Sequence, residues 1–285
     1  MSTKLKSGKI SSELTEPLHT PEPDRRVLIV ADVHLGGFSR AVNREIEESF
    51  LKLLDYCREN CTGLIILGDL FDFWMEYPGS RPVLAEKVVQ KLTKMAANGF
   101  PILYITGNHD NWMHSFFSEC GIDVEHEYRI VTWNNRRVLL LHGDGLSDQS
   151  WGIPRPLLHR LLRNSNFVKM YQSVFPEPAG LWLMKWFSKL SSLKPSRKSR
   201  EKLDLWCRRI LEEGHTDVVI CGHHHYRRDE KLKHRRYLNT GNFFAERSLI
   251  LYANKEFHPV KWSETSTKTE ATLSLELNNT YEPGS

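Results

Sequence analysis

The sequence predicts an α/β fold of the mixed α+β kind, and three observations predict it. Short runs of β-branched and apolar residues alternate with amphipathic stretches through the first half of the chain, the pattern of parallel strands joined by crossover helices. These runs stop abruptly in clusters of Asp, Asn and His, which places a ligand-binding edge outside the carboxyl ends of the strands. Between residues 151 and 213 the alternation gives way to consecutive helices broken by prolines, and the strand pattern then returns.

Residues 1–24 mix Ser, Thr, Glu, Pro and Lys without apolar periodicity and predict a disordered lead-in. The first strand, 26–31, delivers Asp32 and His34 into a Leu35-Gly36-Gly37 loop. Over 41–59, Ile46, Phe50, Leu53, Leu54 and Cys57 share one helical face. A buried strand at 63–67 ends in Gly68-Asp69-Leu70-Phe71-Asp72, and a helix carrying Val88, Leu92 and Met95 stops at Asn98-Gly99. The third strand, 101–106, ends in Gly107-Asn108-His109-Asp110. A short helix near 112–120 precedes strands at 129–133 and 137–141, joined by Asn134-Asn135 and ending in His142-Gly143-Asp144. After the helical block, a strand at 217–221 leads into Gly222-His223-His224-His225, and strands are expected at 236–239 and 248–253. The expected organisation is a catalytic domain over 25–150 and 214–262, a helical cap over 151–213, and flexible tails over 1–24 and 263–285.

At 285 residues, with a hydrophobic fraction of 40%, the chain can bury one catalytic core. No signal-peptide pattern opens it and no apolar run is long enough to span a bilayer, so a cytoplasmic protein is expected. Five cysteines (Cys57, Cys61, Cys120, Cys207, Cys221) without Cys-x-x-Cys spacing read as reduced, packed thiols. The net charge of +4 is modest, but Arg and Lys crowd into 155–209 and 227–236. Such runs form a solvated helix face or attract phosphate on a ligand, a lipid surface or a nucleic acid.

The chemistry lies in Asp32-x-His34, Gly68-Asp69, Gly107-Asn108-His109-Asp110, His142 and Gly222-His223-x-His225. An isolated Asp at a strand end can cap a helix, and an isolated His can be a core residue. Five such ends in succession point instead to one shared site. Oxygen and imidazole donors without a thiolate argue against a closed structural zinc site. Two divalent cations sharing a carboxylate fit better. Asp69 is the natural bridge, with Asp32, His34 and His225 completing one position and Asn108, His142 and His223 the other. Cations about 3.5–4 Å apart activate water near neutral pH and hold phosphoryl oxygens for in-line attack.

In order and spacing these blocks resemble the calcineurin-like metallophosphoesterase superfamily, over residues 32–225. The resemblance implies a four-layer fold of two packed sheets flanked by helices. It also implies that His109 is an unligated histidine that stabilises the transition state or protonates the leaving oxygen, held in place by Asp110. Within the superfamily, Ala31-Asp32-Val33-His34-Leu35-Gly36, Gly68-Asp69-Leu70-Phe71-Asp72-Phe73-Trp74 and His142-Gly143-Asp144-Gly145 are most similar to the UDP-2,3-diacylglucosamine pyrophosphatase branch of lipid A synthesis. The best-studied members of that branch carry Arg where this chain has His109, the residue of the wider superfamily.

The branch resemblance implies hydrolysis of UDP-2,3-diacylglucosamine to 2,3-diacylglucosamine 1-phosphate and UMP, two manganese ions, and a cap that receives two acyl chains. It implies contact with the cytoplasmic face of the inner membrane, with no nucleic acid and no obligate protein partner. In the cap, Phe167, Met170, Tyr171, Phe175, Leu181, Trp182, Leu183, Trp186 and Phe187 either line an acyl pocket or form the insertion's own core. Because Leu181-Trp182-Leu183-Met184-Lys185-Trp186-Phe187 is apolar nearly all round, an exposed or pocket-forming surface is expected there. Ser196, Ser199 and Lys202, at a helix start, are candidate substrate contacts, with Arg81, Asp148 and Arg155 behind them. The competing readings are a metallophosphodiesterase or phosphatase of nucleotides or nucleic acid, and a non-catalytic lipid-associated binding module.

Overall fold

The fold is that of a computed structural model describing residues 25–191, 197–263 and 273–274. Strand β1 (Val27–Val30) is buried on both faces, which is why it reads as a continuous apolar run and not as an alternation. Helix α1 (Arg40–Asn60) starts where the Ser39 hydroxyl accepts from the Val42 N–H, and it buries Ile46, Phe50, Leu53, Leu54 and Cys57. Strand β2 (Gly63–Leu67), helix α2 (Glu86–Ala97) and strand β3 (Ile102–Ile105) complete the predicted alternation. Helix α3 (Phe116–Glu119) and strands β4 (Asp123–Glu125), β5 (Tyr128–Trp133) and β6 (Arg136–Leu141) follow.

Helices α4 (Leu157–Leu162), α5 (Ser165–Val174), α6 (Glu177–Ser191) and α7 (Arg197–Glu212) come next. Strands β7 (Val218–Cys221), β8 (Arg228–Leu232) and β9 (Arg235–Asn239), helix α8 (Phe243–Glu246), and strands β10 (Ser248–Ala253), β11 (Glu256–Trp262) and β12 (Leu273–Ser274) complete the described elements.

One sheet runs β12-β11-β10-β1-β2-β3-β4 and the other β5-β6-β7-β9-β8. β1 to β4 are mutually parallel, as are β6, β7 and β9. The carboxyl ends of these strands deliver the polar loops. Between the sheets, Val27, Ile29, Ile65, Leu67, Leu103 and Ile105 pack against Trp133, Val138, Leu140, Val218, Ile220 and Leu238. Because side chains alternate along a strand, Leu28, Val30, Leu64, Ile66 and Tyr104 face the other way, onto α1 and α2. On the far side, Leu139, Leu141, Val219 and Tyr237 pack on Leu203, Trp206, Cys207 and Ile210 of α7. The result is four layers, helix–sheet–sheet–helix.

The segment 151–213 therefore divides. α7 forms the outer layer on the second sheet, whereas α4–α6 sit over the loops that follow β2 and β3. There Met75, Tyr77 and Trp112 pack with Val168, Tyr171 and Met184, and the Trp112 indole donates to Leu162 O at 2.6 Å. Tyr171 is buried and Phe167, Phe175, Leu181 and Leu183 are half-buried, while Met170 and Trp182 stand out, Trp182 being 70% exposed. The expected apolar surface is present on this segment, although most of its described aromatics pack inward. Trp186 and Phe187 lie outside the described side chains. Among the described residues no helix is long and apolar enough to cross a membrane.

Candidate metal centre

The loops that leave β1, β2 and β7 turn sharply through left-handed backbone at Asp32 (φ 53°), His34 (φ 51°), Asp69 (φ 52°), His223 (φ 71°) and His225 (φ 55°). Asp and His tolerate this region better than most residues, yet each instance costs about 1–3 kcal/mol. Five together approach the net stability of an ordinary domain. Neighbouring loops hold them by backbone pairing: Val33 N–H and His34 N–H both donate to Asp69 O, at 2.9 and 3.0 Å. The His223 N–H donates to Asp32 Oδ2 at 2.9 Å. Glycine is needed where loops meet, since a Cβ at Gly107 would collide with Asp69 Oδ1.

The turns bring the seven predicted donors into two adjoining groups, and His34, Asp72 and His109 form a third set of donors beside them. Ligand atoms of Asp32, His34 and His225 lie within 4.8 Å of one another, as do those of Asp69, His142 and His223. In the first, His225 Nε2 is 3.3 Å from Asp32 Oδ1 and 3.0 Å from His34 Nε2. In the second, His142 Nε2 is 3.3 Å from Asp69 Oδ2, 3.1 Å from Asn108 Oδ1 and 3.2 Å from His223 Nδ1. Asp69 Oδ2 also lies 3.8 Å from His34 Nε2, so one carboxylate adjoins both groups. All seven predicted ligands therefore converge.

Partners outside these groups orient the rings. His142 Nδ1–H donates to Leu67 O at 2.7 Å, which leaves Nε2 facing Asp69. His109 Nδ1–H donates to Asp72 O at 2.7 Å, and the His109 N–H donates to Asp69 Oδ1 at 2.9 Å. Asp110, expected to hold His109, reaches the loop backbone instead. Its carboxylate accepts from Gly107 N–H (2.6 Å), Leu70 N–H (2.9 Å) and Tyr104 O–H (2.6 Å). The carboxylate points into the buried space beneath the loop, so the ring is positioned by Asp72.

Whether these residues suit divalent cations can be judged from the groups themselves. Asp32 Oδ1 is buried without a hydrogen-bond partner, a costly state that a cation would relieve. Burial disfavours charge on Asp32, but His225 and His34 outweigh it and hold the carboxyl well below its ordinary range. Burial likewise opposes charge on His34, while Asp32, Asp72 and Asp69 raise it to about 10. Asp69, Asp32 and Asp144 overcome burial to raise His142 to about 10. Burial and His142 push His223 down to about 3. The pocket thus uses protons to balance carboxylates that a cation could balance, and the donor set fits.

This has a measurable consequence. With both raised to about 10, His34 and His142 should carry protons near neutral pH in the metal-free protein, and each must lose its proton to ligate. Metal affinity should therefore rise as pH rises from neutrality toward 10, the value to which both histidines are raised. Calorimetric titration with Mn²⁺ at pH 7, in buffers of different ionisation heat, should show about two protons released per filled site pair. Absence of proton release would contradict this balance.

The predicted substrate contacts disperse. Ser196 lies outside the described residues. Ser199 Oγ is 3.4 Å from His224 Nε2, beside the histidine loop, and Lys202 is exposed on α7. Arg81 engages Glu86 at 2.6 and 2.8 Å, and Asp148 caps a short 3₁₀ turn by accepting from the Ser150 N–H at 2.8 Å. Arg155 is buried against Glu127 and Asp144. Asp72 and Asp144 follow the motif residues Asp69 and His142 closely in sequence, and that proximity was the available signal for their supporting roles.

Residues 25–227 match the calcineurin-like phosphoesterase profile, and the chain belongs to that family. Its class is therefore that of a metal-dependent hydrolase of phosphoesters or phosphoanhydrides. Among curated proteins, it is 27% identical over 209 residues to a UDP-2,3-diacylglucosamine hydrolase of Histophilus somni, spanning 70% of this chain and 84% of that one. A protein of the same name from Wigglesworthia glossinidia brevipalpis is 26% identical over 256 residues, spanning 83% and 94%. Among solved structures, a phosphoesterase from E. coli shares 16% identity at a TM-score of 0.41, covering 83% of this chain and 92% of its own.

Proposed function

We propose that this chain hydrolyses the diphosphate of UDP-2,3-diacylglucosamine, giving 2,3-diacylglucosamine 1-phosphate and UMP. The observation that carries the reading is the convergence of seven oxygen and imidazole donors around Asp69, in a chain whose curated relatives bear that substrate's name. Asp32, His34 and His225 would hold one divalent ion, and Asn108, His142 and His223 the other, with Asp69 shared. Bound there, the pair would supply Lewis acidity to the phosphoryl oxygens and activate a water; the mixed set of four imidazoles and three oxygen donors accepts manganese, zinc or iron.

The protein's own groups do the rest. His109, its Nδ1–H tied to Asp72 O, presents Nε2 to donate a hydrogen bond or proton to the departing oxygen as the bridging P–O bond breaks and water oxygen bonds to phosphorus. Tyr104 and Asp110 brace the backbone of the loop that carries it. Helices α4–α6, with Trp182, Met170 and Val174 exposed, offer an apolar surface to the acyl chains and to the membrane face from which such a substrate comes. We take the catalytic domain to run over 25–150 and 197–262, α7 included, with α4–α6 as its cap.

One observation favours a second reading, a phosphodiesterase of nucleotides: His109 is the residue of the wider superfamily. Against its nucleic-acid form, several arginines of the basic stretch are paired internally, Arg208 with Glu230, Arg228 with Asp204, and Arg236 with Asp229, which reduces the free cationic charge there for a phosphate backbone. A substrate panel with manganese separates the readings: acylated UDP-glucosamine, unacylated UDP-sugars, cyclic nucleotides and a plain phosphodiester. UMP released from the acylated substrate alone is the expected result. Preferential turnover of cyclic nucleotides or the diester would replace the first reading with the second.

A further inference from the structure

Arg163, at the C-terminal end of α4, points away from solvent with a side chain only 7% exposed. Its guanidinium gathers three separate parts of the catalytic domain. Nη2 donates to Gly107 O at 2.6 Å and to Thr106 O at 3.3 Å, at the entry to the loop that carries Asn108 and His109. Nη2 also meets Asp144 Oδ2 at 3.1 Å, two residues beyond His142. Nη1 donates to Thr106 Oγ1 at 3.0 Å and His126 O at 2.7 Å, tying in the chain between β4 and β5. Asp144 is itself buried, and Arg155 Nε lies 3.2 Å from the same oxygen.

We propose that Arg163 is a positioning residue that fixes the Asn108–His109 loop against the His142 loop, so that the seating of α4 sets their spacing at one cation position. A planar guanidinium suits this task, because it directs several donors at fixed angles to carbonyls on different segments, and an ammonium on a flexible stem cannot. The neighbouring Gly107 admits no Cβ without striking Asp69 Oδ1, so the loop has little room to drift and still place Asn108 beside His142. Charge-assisted hydrogen bonds to buried carbonyls are among the stronger single contacts available. Arg163 is none of the seven donors. It acts through the two loops it joins.

The inference rests on the two-cation reading of the site and not on the identity of the substrate. It is therefore read on full-length metal-free and manganese-loaded protein as well as on turnover. For Arg163→Ala, we expect the affinity for one of two manganese ions to fall about 10–100-fold, the range for partners that orient ligands, while the other is retained. kcat should fall with KM changed little, and amide exchange at Gly107–His109 should quicken in the metal-free protein. Added guanidinium should restore part of kcat. Arg160→Ala, on the exposed side of the same helix, should leave all of these unchanged.

If Arg163→Ala does not fold, Arg163→Lys carries the same comparison, with weaker loss and no response to guanidinium. Wild-type binding of both ions in Arg163→Ala, with unaltered exchange, would overturn the proposal. So would a loss confined to thermal stability. Failure of the wild type to bind two ions would instead overturn the two-cation reading beneath it.

Discussion

Asp69→Ala is expected to abolish turnover and to strip the protein of bound divalent cation in the same step. Asp69 is 1% exposed, and its Oδ2 adjoins both donor groups, 3.3 Å from His142 Nε2 and 3.8 Å from His34 Nε2. Its other oxygen accepts the His109 N–H at 2.9 Å, so the substitution removes a shared ligand and a loop anchor together. Burial opposes its ionisation, yet the charges of His142 and His109 hold it well below the ordinary carboxylate range. It is therefore an anion across the physiological range. Without it, two cations held mainly by imidazoles would repel one another across a buried site. The loss should exceed the roughly 10–100-fold that follows removal of an outer partner. Metal analysis by mass spectrometry alongside turnover is the check. Two ions per chain retained in Asp69→Ala would remove the carboxylate from its bridging place.

His109→Ala is expected to do the opposite on one axis. It should keep both ions and lose about 10²–10⁴-fold in kcat, the range for loss of a general acid. The separation is clean because His109 meets Asp69 through its backbone N–H, which alanine retains. The ring stacks edge-on to His34 at 4.9 Å between centroids; it adjoins His34 and Asp72 in a third set of donors, but it is not among the donors of the two groups that Asp69 joins. Its Nδ1–H is engaged by Asp72 O, so the other nitrogen is the one available for chemistry. Comparable kcat after His109→Ala, with metal content unchanged, would take it out of the mechanism. Paired with Asp69→Ala, the experiment distinguishes a residue that builds the centre from one that works beside it.

What could be read in the chain follows from how far each feature depends on distant contacts. The central strands announce themselves because burial on both faces demands unbroken apolar runs, as in Val27-Leu28-Ile29-Val30. The metal loops announce themselves because Asp and His are conspicuous at the ends of such runs. Edge strands do not: β8 (Arg228–Leu232) alternates exposed and half-buried charged residues, and its place was legible only once β9 lay beside it. α7 reads like another cap helix, since its amphipathic stripe does not say which surface it will cover. In the structure it is the second sheet.

The supporting contacts were the least legible. His142 and His109 are oriented by the carbonyls of Leu67 and Asp72, and every residue has a carbonyl. Asp110 looked like a partner for the adjacent ring, but its side chain follows the turn inward to Gly107 and Tyr104. Arg163 lies more than fifty positions from Gly107 in sequence, within a block whose many arginines look alike until one of them is seen to be buried.

Where cations settle tests the shared Asp69 centre most directly. Crystals soaked in manganese and measured at its absorption edge should show two anomalous peaks flanking the Asp69 carboxylate, one among Asp32, His34 and His225, the other among Asn108, His142 and His223. A single peak, or peaks remote from Asp69, would contradict it.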